Sequence, residues 1–205
     1  MCDLARWSAL CRRAGATSGV EEAYETLVTH YQEPHRAYHN LAHIAHCLAE
    51  FDAANGIEDP IAVELALWFH DVIYNTHCAD NEQQSADFAM RMLVAMGIGG
   101  DLPGTVASLI LCTRHQEPPA TPDGRIIVDI DLAILAAPPE RFDAYEAQIR
   151  QEYAWVSEDL FREKRQEFLQ SLLAREWIFS TPAFRERYES KARENLRRSI
   201  ARLSG

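Results

Sequence analysis

No uninterrupted apolar run in the 205 residues reaches the roughly 18 that a helix needs to cross a bilayer. The opening Met1-Cys-Asp-Leu-Ala-Arg-Trp7 has an early acid and no apolar core, so it does not read as a secretory signal. Walker loop, dinucleotide fingerprint, Gly-x-Ser-x-Gly elbow and Cys-x-x-Cys pair are all missing, which removes the commonest nucleotide, hydride, serine-hydrolase and thiol-redox chemistries. The five cysteines (Cys2, Cys11, Cys47, Cys78 and Cys112) are odd in number and scattered, unlike a disulfide scaffold or a zinc knuckle. Basic side chains are also in deficit, and the net charge of −11 opposes binding to nucleic acid. Together these absences describe a cytoplasmic protein with no membrane or nucleic-acid partner. The sequence is compatible with a homodimer.

What is present is an apolar fraction of 47%, enough for a core, and apolar positions recurring at helical spacing in nearly every segment between turn signals. The expectation is a single all-α domain over 1–205. Ser18-Gly-Val-Glu21 has the spacing of a capping box and opens a helix to about 31. Asn40 is the candidate cap of a helix to about 55, and Asp59-Pro60 starts the next one, with the acid as cap and proline where its missing N–H costs nothing. That helix, to about 70, is apolar almost all round and should be buried. Helices follow over about 82–96 and 103–115. Pro118, Pro119 and Pro122 then predict a loop through about 130 feeding a short helix over 131–136, with Asp129 as its cap. Three more helices are expected over about 140–156, 157–175 and 182–203. The last carries arginines among glutamates at spacings of three and four, which reads as a solvated face rather than a nucleic-acid stripe.

All eight histidines precede residue 116. His39 with His43, and His43 with His46, have spacings that share a helical face, and either pair suits a metal. His70-Asp71 ends the most apolar helix, where an unpaired titratable pair is costly and a cation offsets the carboxylate. Asp129-Ile-Asp131-Leu brings a further acid into apolar surroundings. Residues two apart on a helix point nearly opposite ways, so spacing leaves open which of the two acids faces inward. Two imidazoles and two carboxylates suit one Mn²⁺, Fe²⁺, Ni²⁺, Co²⁺, Zn²⁺ or Mg²⁺ ion.

In order, His43, His70-Asp71 and Asp131 resemble the H…HD…D signature of the HD superfamily of metal-dependent phosphohydrolases. The stretches 38–44, 69–74, 81–86, 129–135 and 149–153 are similar to a bacterial branch of that family with no assigned substrate, and the likeness spans about 7–203. The resemblance implies a compact helical bundle of the HD-domain type, with His43, His70, Asp71 and Asp131 as metal ligands. It also implies hydrolysis of a small phosphorylated substrate, such as a nucleotide, by metal-activated water. Tyr74 stands where HD nucleotidases carry a glutamate, and the nearest acid is Glu82. Asp71 bridges ion and water in this expectation, Glu82 or His115 moves the proton, and Arg36, His39 and Arg114 are candidates for the phosphate oxygens. Two alternatives stay open: a di-iron oxygenase drawing extra ligands from His39, His46 and His115, and a non-catalytic metal- or nucleotide-binding module.

Overall fold

A computed structural model describes residues 2–204. It is all-α, with ten α-helices and one 3₁₀ turn among the described residues. The helices are α1 (Leu4–Arg13), α2 (Val20–Tyr31), α3 (Leu41–Ala53), α4 (Pro60–Phe69), α5 (Asn81–Ala95), α6 (Leu102–Cys112), α7 (Pro122–Leu132), α8 (Pro139–Glu152), α9 (Glu158–Leu173) and α10 (Pro182–Leu203). The 3₁₀ turn is Ala133–Ala136. Contacts divide the chain into two units, one ending at Ile130 and the other beginning at Asp131. No helix among the described residues is long and apolar enough to cross a membrane.

The first unit is built around α4. Asp59 accepts hydrogen bonds from the N–H groups of Ile61 and Ala62, Pro60 occupies the first turn, and every residue from Ala62 to Phe69 is buried. Helices α1, α3, α5 and α6 pack around it. Trp7 of α1 meets Trp68 and Phe69 edge-on, and its indole N–H donates to the Val20 carbonyl. Glu64, the one charged residue of α4, is buried and paired with Arg6 at 2.7 Å, which offsets its desolvation. The carboxylate of Asp123 accepts from the backbone N–H groups of Glu58 and Asp59 and so holds the approach to α4.

Three local expectations are corrected. Ser18 does not cap α2: Gly19 is the cap residue, at φ 68°, and no side chain accepts from the first turn. The stretch expected as a loop through about 130 is instead the helix α7, and 133–136 is a 3₁₀ turn. Pro122 starts this helix rather than forbidding it, since a helix's first N–H groups need no intrahelical partner. Ile126, Ile127, Val128 and Ile130 are buried, and burial outweighs their modest helix propensity. Gly124 is needed for space, because a Cβ there comes within 2.9 Å of Pro119 Cβ. Asp129 therefore lies inside a helix, fully buried, and is not a cap. Helix α1 was not expected.

In the second unit, the 3₁₀ turn packs against α8 and α10, and α10 also packs on α9. Thr181 caps α10 by accepting from the Phe184 N–H. Several basic residues of α10 hold their own unit together. Arg193 donates to the carbonyls of Leu173, at the end of α9, and of Arg175 and Glu176 beyond it, and Arg185 to those of Phe179 and Ser180. Arg198 and Arg202 both reach Asp143. Buried Asn195 donates to the carbonyls of Leu135 and Ala137, each at 2.9 Å, and fixes the 3₁₀ turn. Asn195→Leu removes the donor and leaves both acceptors unpaired, so it should cost about 1–3 kcal/mol. Urea unfolding followed by circular dichroism checks this, and an unchanged midpoint contradicts it.

Candidate metal centre

The end of α4 and the first turns of α3 supply the donors. His43 lies in the first turn of α3, which Asn40 caps by accepting from the Ala42 N–H. His70 is the residue that closes α4, still in right-handed helical geometry, and Asp71 follows it in the turn. The ring Nδ1 of His70 lies 3.0 Å from the Leu67 carbonyl. A carbonyl only accepts, so Nδ1 is the nitrogen that keeps its proton when Nε2 presents a lone pair to a cation.

That Nε2 lies 3.1 Å from Nε2 of His43, Asp71 Oδ2 lies 3.1 Å from His70 Nε2, and the same oxygen is 3.3 Å from His43 Nε2. Three donor atoms thus form a nearly equilateral triangle. With ligand distances of ~2.1 Å, neighbouring ligands on one cation are about 3.0 Å apart in an octahedron and about 3.4 Å in a tetrahedron. The triangle has edges of that size, and two imidazoles with a carboxylate suit a borderline divalent ion. His43 and His70 are each 1% exposed, whereas the side chain of Asp71 is 18% exposed and forms the wet side. Burial raises the Asp71 carboxyl, but the imidazoles of His70, His39 and His43 outweigh it and hold the group well below the usual carboxylate range.

The turn after α4 is held by two side chains from the preceding segment. Tyr31 donates its hydroxyl to the Trp68 carbonyl at 2.9 Å, and burial with the Asp71 charge keeps that hydroxyl protonated far above its normal range. Arg36 donates from Nη1 to the carbonyls of His39 and Asp71, from Nη2 to that of Val72, and from Nε to Glu33. Its side chain has no exposure. The expectation of Arg36 as a phosphate contact is corrected: its guanidinium is occupied by backbone carbonyls and has no face for a ligand.

The remaining candidates fall at different distances from the triangle. His39 is half-buried, stacks on Tyr74 with ring centroids 4.1 Å apart, and lies 5.9 Å from the His43 ring. Glu82 is half-buried in the first turn of α5. That turn is laced to the loop after Asp71, since Asn81 bonds both backbone groups of Asn75, and Ser85 bonds those of Ile73. Arg114 donates to Gln83 at 3.1 Å. His115 sits just past α6 with left-handed backbone, φ 56°. His46 pairs with Glu50 one turn along α3. Asp131 is half-buried in the last turn of α7 and is the first residue of the second unit. Neither Glu82 nor His115 belongs to the group of converging donors among the described residues.

Cys47 does belong to it, and sequence reading missed it. One donor atom each from His43, Cys47 and His70 lie within 4.8 Å of one another, all three residues buried. The available signal was His43-x-x-x-Cys47, one helical turn apart. No protein-family model, curated protein or solved structure matches this chain.

Arg36→Lys keeps the charge but loses the planar fork that reaches several carbonyls together. It should cost about 3 kcal/mol and abolish any stabilisation by added divalent ions, because the turn carrying His70 and Asp71 is released. Thermal unfolding with and without metal reads both effects. A variant of wild-type stability shows that Arg36 does not hold this turn.

Proposed function

We propose that the chain is a metal-dependent phosphohydrolase of the HD type acting on a small phosphorylated metabolite, with one divalent ion held by His43, His70, Asp71 and Asp131. The observation that carries the reading is the triangle of His43 Nε2, His70 Nε2 and Asp71 Oδ2, with edges of 3.1–3.3 Å. The order of these residues and of Asp131 in the sequence supports it further. A divalent cation, when bound, supplies Lewis acidity toward water and a phosphoryl oxygen.

The chain's own residues do the rest. Asp71 is the donor with a solvent-facing edge, and it accepts a hydrogen bond from the attacking water and orients it. Glu82 takes the proton, from the turn of α5 tied to the loop after Asp71. His39, braced on Tyr74, donates to a nonbridging phosphate oxygen, and Arg114 and His115 line the approach. The local imidazoles also give an anion a place to enter a protein of net charge −11. Five free cysteines suit a reducing cytosol.

The near-complete burial of His43 and His70 favours one second reading, a non-catalytic module with a structural ion. Metal-stripped protein reloaded in turn with Mn²⁺, Ni²⁺, Co²⁺, Zn²⁺ and Mg²⁺, and assayed for phosphate release from nucleotides and phosphosugars, separates the two. Hydrolysis that needs the ion supports the enzyme. Tight binding of one ion per chain with no hydrolysis of any substrate supports the module, and two irons per chain overturns the single-ion centre.

Two variants sharpen the test. Asp131→Asn should lose both bound metal and phosphate release. Glu82→Gln should keep metal content and melting temperature while turnover falls about a hundredfold, as expected for losing a general base. Full turnover in Glu82→Gln removes Glu82 from the proton path.

A further inference from the structure

Arg114 lies just past α6, half-buried, and reaches the first turn of α5. Among the described residues its guanidinium forms no ion pair, and its partner is the neutral side-chain carbonyl of Gln83, which accepts from Nη2 at 3.1 Å. Arg6, Arg36, Arg165 and Arg193, also shielded from water, each meet a carboxylate. With 31 acidic side chains in the chain against 20 basic ones, the missing counterion is not for want of acids. The cation is nonetheless held in place. Gln83 Nε2 donates to Asp87, one turn along α5, at 3.0 Å, and so turns the amide oxygen toward Arg114. The next residue, His115, is the one non-glycine among the described residues with left-handed backbone (φ 56°), a conformation that persists where its surroundings impose it.

We propose that Arg114 binds a second anionic group of the substrate, which is a small metabolite carrying one phosphate at the metal centre and a further phosphate or carboxylate on Arg114. The inference rests on the phosphohydrolase reading above. One hydrogen bond leaves most of the guanidinium fork unengaged, and that planar fork matches either oxyanion in a bidentate way. Its place in the fold suits a ligand that also reaches the donor triangle. Gln83 follows Glu82 in α5, and Ser85, two residues on, bonds both backbone groups of Ile73, in the loop that leaves the partly exposed Asp71. A cation without a counterion also offsets, at this one place, the repulsion that a net charge of −11 imposes on a doubly anionic ligand.

Calorimetric binding to the full chain tests this without any turnover assay, first with metal removed and inorganic phosphate as the probe. The wild type should bind phosphate, and Arg114→Gln, with its helical circular dichroism spectrum unchanged, should bind it about tenfold more weakly or worse. With Mn²⁺ restored, the probes are alkylphosphonates of increasing length, whose C–P bond resists hydrolysis, either plain or ending in a second phosphonate or a carboxylate. At some length a second anionic group should tighten wild-type binding about tenfold, and Arg114→Gln should lose that gain. Which of the two end groups does so identifies the second anion. Absence of phosphate binding to the metal-free wild type, or equal binding by Arg114→Gln, overturns the subsite and leaves the metal centre standing. A series in which no second group tightens binding, or a gain that survives in Arg114→Gln, overturns the doubly anionic substrate. Plain alkylphosphonates that bind no better with metal than without it overturn the phosphate at the centre, and the phosphohydrolase reading with it.

Discussion

The carbonyl groups at the end of α4 need donors, and the first unit is arranged around meeting that need. A helix ends with carbonyls that no later turn reaches, and in buried surroundings each one left unpaired is costly. Here the helix ends inside the protein, with Phe69 and His70 almost inaccessible. Tyr31 and Arg36 reach back to the carbonyls of Trp68, Asp71 and Val72. Because Arg36 also holds the His39 carbonyl, the same guanidinium joins the segment entering α3 to the turn leaving α4. Those are the two places that present His43 and the His70-Asp71 pair. The cap of one helix is thus also the frame of the donor triangle.

The character of α4 explains why that frame is stiff. Its side chains are apolar and buried on all sides, apart from Glu64, which Arg6 pairs. A helix packed in this way has little freedom to rotate or slide, so the donors at its end inherit its position. Trp7, wedged against Trp68 and Phe69, extends the support to α1. Asp71 then gains an environment that favours its ionised form despite burial, through the charges of His70 and His39 and hydrogen bonds from His43 and His70. The donor triangle is buried on the histidine side and partly exposed on the aspartate side.

The second unit uses the same physics for a different end. Arg193, Arg185 and Asn195 are spent on carbonyls left over after α9, in the loop before α10 and around the 3₁₀ turn. Glu189 accepts from the N–H groups of Ile178 and Phe179 and pairs with Arg193 one turn on. A helix that looks like a charged surface stripe in sequence is therefore partly a set of internal struts. The pairs at spacings of three and four are present, but several of the same side chains have backbone partners as well.

What the sequence determined by itself was whatever depends on neighbours within a helical turn. Asn40, Asp59-Pro60 and Thr181-Pro182 announce helix starts because a cap bonds to N–H groups two or three residues ahead. The apolar run ending in His70-Asp71 marked α4 as central, and it is. Where a signal was local but degenerate it misled: Ser18 had the right spacing and Gly19 took the position, and the prolines before α7 looked like a barrier and served as a start. The tertiary structure alone decided that Arg36 holds carbonyls rather than a ligand, since Asp71 and Val72 lie far along the chain. It alone brought Cys47 to the imidazoles and set the separations of His43, His70 and Asp71. Spacing along a helix states which residues share a face, whereas the distance between donors on different helices is set by how those helices pack.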